Sequence, residues 1–333
     1  MAAHLNVVFM GTPDFAAVIL KHLLFRSQTT ISAVITQPDR PKGRGRKLTP
    51  SPVKLLAQQN SLNLWQPSTL SGPKEKEYLT SLAPDFLLVA AFGHILPSEI
   101  LAIPGYDSLN VHASLLPKYR GAAPIQRSLA NGEAVTGISI MCMRPGLDCG
   151  PLLLQRPIPI GPQDTAATVH DNLAQLGGQC LVHTLDRWQA QDLVPVPQDE
   201  GMVTYAPKLG KNEGRINWHQ PARWVHNHIR AMHPWPGAFT ELQRSPGGKK
   251  IKLHIFPGHI GPEIKADRHP GTVVRDNNTT LRIACLDRYY LVHTVKPASK
   301  SPMSSSAFIC GYLGSPADNQ GPSPSASYAV CNP

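Results

Sequence analysis

Short apolar runs alternating with helical stretches fill the first 190 residues, and that alternation restricts the chain to few folds. Asn6–Met10 (NVVFM) is strand-like and leads into the turn Gly11-Thr12-Pro13. Asp14–Leu24 then sets Phe15, Val18, Ile19, His22 and Leu23 at helical spacing. ISAVIT at 31–36 predicts a second strand and 52–60 a helix. FLLVAA at 86–91 is apolar throughout, as suits a strand covered on both faces of a parallel sheet. SLNVHA at 108–113 and GISIMCM at 137–143 add strands, with helices expected from Pro124 to Asn131 and from Thr165 to about Gln189. The pattern predicts an α/β fold with a doubly wound, mostly parallel sheet. Ligands of such sheets sit beyond the carboxyl ends of the strands.

Pro195 and Pro197 break the pattern. Beyond them, short β-like segments at 250–256, 271–275, 280–284 and 289–295 suggest a small barrel or sandwich. Residues 314–333 are rich in Ser, Pro and Gly and carry one charge, so a disordered tail is expected there. The expected division is a first domain at 1–190, a linker at 191–206, a second domain at 207–313 and the tail.

Charge is spread unevenly. Residues 207–333 hold 16 Lys/Arg against 7 Asp/Glu, whereas 1–206 hold 16 against 15. Six of the basic residues of the first part crowd into 38–54, beside one acid. Lys and Arg that neutralise phosphates release counterions, so this distribution points to a polyanion partner. The plainer alternative is the solvated surface of a basic protein. Six cysteines form no C-x-x-C pair and no zinc-like spacing, which suggests reduced thiols and no metal. No apolar run approaches the roughly 18 residues of a membrane span, and the N-terminus lacks a signal-peptide pattern. A cytoplasmic protein with no membrane partner is expected.

Three groups of residues could carry chemistry. Asn110 and His112 are two apart in a predicted strand and project to one face. An amide donor beside an imidazole suits the stabilisation of a developing oxyanion. Asp148, between Gly146 and Gly150, offers a carboxylate after the next strand, although an Asp in a turn often serves only its own backbone. The segment Pro38–Pro52 interleaves Arg40, Lys42, Arg44, Arg46 and Lys47 with Gly43 and Gly45. It cannot bury a core and should stay mobile until a phosphate backbone orders it. Gly11-Thr12-Pro13 lacks the G-x-G-x-x-G pattern, so no nucleotide cofactor is expected there.

VVFMGTPDFA, TQPDRPKGRGRKLTPSPVK, AAFGHILP, NVHASLLPKYRGAAPIQRSL, GLDCG, MVTYAPKL and AMHPWPGAF resemble the methionyl-tRNA formyltransferases over most of the chain. The resemblance implies a formyltransferase-like catalytic domain followed by a basic, OB-like β-barrel that binds tRNA. It implies transfer of a formyl group from 10-formyltetrahydrofolate, a cosubstrate, to the methionine amino group of initiator methionyl-tRNA. Asn110, His112 and Asp148 would be catalytic. Ser114, Leu115, Leu116 and Pro117 would lie against the folate, with Phe92, Gly93, Ile95 and Leu96 shaping the pterin pocket and His94 structural. Arg40, Lys42, Arg44, Arg46 and Lys47 would engage the tRNA acceptor end, Arg44 centrally, in an enzyme expected to be a monomer. Cys149 stands where the family carries Thr. The rival readings are a formyltransferase for a small amine, such as a glycinamide nucleotide or an amino sugar, and a non-catalytic RNA-binding relative.

Overall fold

The apolar N-terminal run forms β1 (Leu5–Gly11), in which every residue except Asn6 is buried. In the computed structural model, residues 4–42, 45, 47–243, 250–264, 269–276, 280–313 and 328–331 are described. α1 (Asp14–Leu24) buries Phe15, Ala16, Ile19, Leu20 and Leu23. Asp14 in its first turn and Lys21 and His22 in its last suit the helix dipole. There follow β2 (Thr29–Ile35), β3 (Arg40–Lys42), β4 (Lys47–Thr49), α2 (Pro52–Gln59), β5 (Leu64–Trp65), α3 (Pro73–Ser81), β6 (Phe86–Ala90), α4 (Ser98–Leu101) and β7 (Asp107–His112). α5 (Pro124–Ala130), β8 (Val135–Cys142), β9 (Leu152–Pro159) and α6 (Ala166–Gln189) come next.

Seven of these strands make one sheet in the order β5-β2-β1-β6-β7-β8-β9. The first five run parallel, while β8 is antiparallel to β7 and β9 to β8. β6 is buried throughout, as a central strand must be. On one face Val8, Met10, Ile35, Leu87 and Val89 pack with Leu79 and Ile100. Paired glycines bring α6 close. A Cβ on Gly177 would stand 3.0 Å from Val111 Cγ1 of β7, and one on Gly178 only 2.3 Å from His22 Cδ2 of α1.

The chain divides into two compact units, the first comprising Met1–Pro124, Val135–Pro159 and His170–Pro207 and the second Ile125–Ala134, Ile160–Val169 and Lys208–Pro333. Residues 191–206, expected as a linker, run along the first unit. Val196 exchanges backbone hydrogen bonds of 2.8 and 2.9 Å with Leu152, and Tyr205 bridges to Arg120. Prolines in this stretch interrupt helix, not packing. Two short segments, 125–134 and 160–169, the second including the first turn of α6, belong to the second unit. Residue periodicity reports local structure and carries no record of that exchange.

The second unit contains α7 (Ala222–Ala231), then β10 (Phe239–Gln243), β11 (Lys250–Ile255), β12 (His259–Glu263), β13 (Thr272–Asp276), β14 (Thr280–Ala284), β15 (Arg288–Val292), β16 (Thr294–Pro297), β17 (Met303–Ser304), α8 (Ser305–Phe308) and β18 (Tyr328–Cys331). Its strands form an antiparallel, barrel-like sheet in the order β12-β15-β14-β13-β18-β10-β11-β16-β17. β18 corrects the expectation of a wholly disordered tail. Tyr328 and Val330 are β-prone, and the segment pairs with both β10 and β13, satisfying two strand edges at once. The remaining tail residues lie outside the described residues. No described helix is long and apolar enough to cross a membrane.

Candidate active site

β7 sorts its side chains by alternation. Leu109 and Val111 are buried, and Val111 faces α6 near Gly177, so Asn110 and His112 share the opposite face. Asn110 is half-buried. His112 is 5% exposed, and its Nε2 lies 3.0 Å from the Tyr119 carbonyl oxygen. A carbonyl only accepts, so Nε2 carries the proton of that bond and Nδ1 is the edge left for other partners. Nδ1 stands 3.6 Å from Asp148 Oδ2. That is ion-pair range but too long for a hydrogen bond.

Asp148 reaches His112 by an indirect route. β8 ends at Cys142, opposite Leu109 on β7, so the loop at 143–151 must fold back along β7. Gly150 makes the return, because a Cβ there would lie 1.8 Å from the Cys142 carbonyl oxygen. Asp148 itself adopts a left-handed φ of 47°, unusual outside glycine. Its Oδ2 accepts the Gly121 N–H at 2.7 Å, and among the described residues Oδ1 has no hydrogen-bond partner. Gly121 has a φ of 121° and no room for a side chain, since a Cβ would sit 2.8 Å from the Ala206 carbonyl oxygen.

Tyr119–Gly121 therefore touches both polar side chains, through a carbonyl to His112 and an N–H to Asp148. The segment is pinned in turn by residues 204–206. Tyr119 N–H donates to Thr204 Oγ1 at 2.9 Å, Arg120 N–H to the Thr204 carbonyl at 2.9 Å, and Ala206 N–H to the Arg120 carbonyl at 2.7 Å. The buried Arg120 guanidinium bonds to Gln198 and Glu200, and its hydrogen bond with Glu200 holds Arg120 above the ordinary arginine range and Glu200 below the ordinary carboxylate range. Gln198 in turn donates to the carbonyls of Asp148 and Gly150, at 2.8 and 2.7 Å. Sequence reading missed these supports. Arg-Gly inside SLLPKYRGAAP was visible, but its partners lie about 80 residues away.

Ser114–Pro117 continues directly from β7 and is fastened from behind. Ser139 Oγ donates to the Ser114 carbonyl at 2.7 Å and accepts the Leu116 N–H at 3.0 Å. Gln155 adds a bond to the Leu116 carbonyl at 2.8 Å. The Ser114 hydroxyl is spent on the Lys118 carbonyl and Leu116 is buried, whereas Leu115 and Pro117 are partly exposed. Phe92 and Leu96 likewise belong to the core cluster around Val8 and Ile100. Any ligand at these four positions meets backbone, not side chain. Gly93 is exposed, and Ile95 is 96% exposed, an unusual placement for an isoleucine that no interior claims. His94 is half-buried with its ring 5.3 Å from that of Phe92.

The basic segment, expected as a mobile loop, includes a two-stranded ribbon. β3 and β4 pair antiparallel with Arg40 opposite Thr49 and Lys42 opposite Lys47. Arg40 and Lys47 are exposed; Arg44 and Arg46 lie outside the described residues. At its base Asp39 accepts from Gln66 at 2.9 Å and from Lys54 at 2.7 Å, and these bonds hold its carboxyl below the ordinary range. Among the described residues no group of three or more His, Cys, Asp or Glu is placed to hold a metal ion. Burial pushes the thiols of Cys142 and Cys285 up to about 12 and that of Cys180 to about 11, far from nucleophilic range.

Comparison with known proteins finds a family described as "Formyl transferase" matching residues 5–185 and one described as "Formyl transferase, C-terminal domain" matching 208–313. A methionyl-tRNA formyltransferase of Nitratidesulfovibrio vulgaris (strain Hildenborough) is 47% identical over 312 residues, 94% of each chain. Another, of Geobacter sulfurreducens, is 41% identical over 321 residues, 96% of this chain and 98% of the relative. Among solved structures, an N-formyltransferase from Helicobacter canadensis in complex with folinic acid and dTDP-3-aminofucose superposes with a TM-score of 0.62 at 19% identity, over 86% of this chain and 98% of that one. HypX from Aquifex aeolicus in complex with tetrahydrofolic acid gives 0.59 at 18% identity, over 93% of this chain and 48% of that one. At such identities the structural likeness concerns fold alone.

Proposed function

The chain belongs to the methionyl-tRNA formyltransferase family, and from that premise we propose the parts its residues play. The enzyme transfers a formyl group from 10-formyltetrahydrofolate to the free amino group of methionine on initiator methionyl-tRNA, the step that prepares it for translation initiation. The observation that carries the assignment of roles is the approach of His112 Nδ1 to Asp148 Oδ2, 3.6 Å apart, on the face of β7 that also bears Asn110.

The folate supplies an activated formyl group. As the amine nitrogen bonds to the formyl carbon, the bond from that carbon to the folate nitrogen breaks and that nitrogen leaves with a proton. The chain must bind the donor, steady the formyl oxygen as charge grows on it, and take a proton from the attacking amine. Asn110 presents an amide N–H suited to that oxygen. His112 lies on the same face with its Nε2–H committed to Tyr119, so its Nδ1 edge supports the charge and shares in proton movement. Asp148 keeps Oδ2 on Gly121 and leaves Oδ1 open as the acceptor of the amine proton. The backbone of Ser114–Pro117 and Phe92–Leu96, with the exposed Ile95, offers a bed for the pterin. Gly93, with a φ of 82°, suits such a cradle, because a Cβ there would meet Gln37 Nε2 at 2.6 Å.

The ribbon of β3 and β4, with Arg44 and Arg46 in the segment between, and the basic second unit are read as the tRNA contacts. Their positive charge matches a phosphate backbone, and a small acceptor would need neither. The enzyme is read as a cytoplasmic monomer. One assay tests the function: radiolabelled formyl transfer to initiator and elongator methionyl-tRNA side by side, with a free amino sugar as a third acceptor. Strong preference for the initiator is expected. Faster transfer to the sugar would replace this reading with the small-amine one.

A further inference from the structure

We propose that Gln198 and Arg120 are positioning residues that hold the Asp148 loop for the transfer, a reading that rests on the role given to Asp148 above. The loop needs such a support. Pro145, Gly146 and Leu147 are exposed, and Asp148 sits in a left-handed conformation, which Asp visits more readily than most residues but still at a cost against the right-handed one.

Gln198 supplies the support through a single amide. Its Nε2 donates to the carbonyls on either side of Cys149, at Asp148 and Gly150, over 2.8 and 2.7 Å. Its Oε1 accepts from Arg120 Nε at 3.1 Å and Nη2 at 2.8 Å. The guanidinium has only donors, so it dictates which end of the amide faces it. A flipped Gln198 would set Oε1 against two carbonyl oxygens and its NH2 against a cation.

Arg120, 3% exposed, is neutralised by the exposed Glu200, whose Oε1 lies 2.7 Å from Nη2 and Oε2 3.2 Å from Nη1. The order of control runs from Glu200 to Arg120, to Gln198, to the backbone of Asp148. The same arginine's own backbone lies between the Tyr119 carbonyl on His112 and the Gly121 N–H on Asp148. One residue thus braces both catalytic side chains, from the backbone at one end and from the guanidinium at the other. Gln198 bonds to the backbone of 148 and 150, so it acts through Asp148 without contacting the reacting atoms.

The test is a double-mutant cycle in the full-length enzyme. Gln198→Met keeps length and removes donor and acceptor. It is expected to lower kcat about 10- to 100-fold, the scale of an ångström-sized misplacement, with KM for both substrates within about twofold. Asp148→Asn alone should be slower still. The deciding quantity is the double variant: if Gln198 works through Asp148, it is no slower than Asp148→Asn. A purely structural role would instead lower the melting temperature and multiply the two losses, and multiplication would overturn the proposal. So would an unchanged kcat in Gln198→Met. Near-normal turnover of Asp148→Asn would remove the catalytic role of Asp148 and this proposal with it, whereas normal loss there with no effect at Gln198 would overturn this proposal alone. Should Gln198→Met fail to fold, Glu200→Ala at the exposed end carries the same cycle, with a smaller kcat loss again expected to vanish in the Asp148→Asn background.

Discussion

His112 in the first unit and His226 in the second are almost equally hidden, at 5% and 6% exposure, yet their surroundings differ in kind. His226 spends both ring nitrogens on neutral partners, donating from Nε2 to the Pro162 carbonyl at 2.8 Å and meeting the Tyr290 hydroxyl with Nδ1 at 3.3 Å. Burial holds it below the ordinary imidazole range. His112 spends only Nε2, and its Nδ1 looks across 3.6 Å at a carboxylate that is itself held by a backbone N–H. Burial does not mark a working histidine. The role proposed for His112 rests instead on an unspent nitrogen facing a fixed charge, and that difference can be tested.

The sharpest separation should appear in turnover. Asn110→Ala or His112→Ala is expected to lower kcat by roughly 10²–10³, the cost of one oxyanion donor, with tRNA affinity nearly intact. His226→Ala should leave kcat per folded molecule unchanged and lower the melting temperature instead. Steady-state kinetics beside thermal melts on the three variants decide this. Near-normal turnover in either first-unit variant would take that residue out of the mechanism.

A second contrast lies between the satisfied interior and the basic ribbon. Lys42 is in register with Lys47 across β3 and β4, so the ribbon gathers basic residues with no acid in register to balance them. Removing Arg40, Lys42 and Lys47 together should flatten the dependence of kcat/KM on salt, lowering the log–log slope by about two to three, while kcat at saturating tRNA stays within about threefold. Trypsin cleavage after Arg44 and Arg46 should also slow when initiator tRNA is added. An unchanged salt slope, or equal cleavage with and without tRNA, would remove the ribbon from recognition.

These contrasts also show what a sequence can disclose. Period-two alternation placed Asn110 and His112 on one face of β7, and the glycines around Asp148 announced a sharp turn, because both are local rules. The apolar run at 86–91 identified the central strand for the same reason. What brings Asp148 back to His112 is not local: the Gly121 N–H and the Gln198 amide come from 27 and 50 residues away. Ser114, Leu116, Phe92 and Leu96 looked like ligand contacts from their motifs, yet only coordinates reveal that their side chains face inward. β18 was hidden by composition, since the β-prone Tyr328 and Val330 are outvoted by the Ser and Pro around them.

The smallest effect expected is in acid stability, and its sign follows from the second unit. Burial is the leading cause holding His226, His228, His233 and His254 below the ordinary imidazole value. Folded chains therefore bind fewer protons than unfolded ones once pH falls below about 6.5. The stability these groups contribute is complete above that pH and is lost as pH falls through the folded-state values. Asp39, Asp107, Glu200 and Glu213 are held below their ordinary carboxylate values, so their losses come in a separate, more acid window. Melting temperatures between pH 8 and 5 should thus fall gently below about 6.5. His226→Gln should lower the midpoint at pH 8 yet flatten the slope, because Gln cannot take the proton. A slope identical to that of the unsubstituted enzyme would show that His226 is not among the groups that set it.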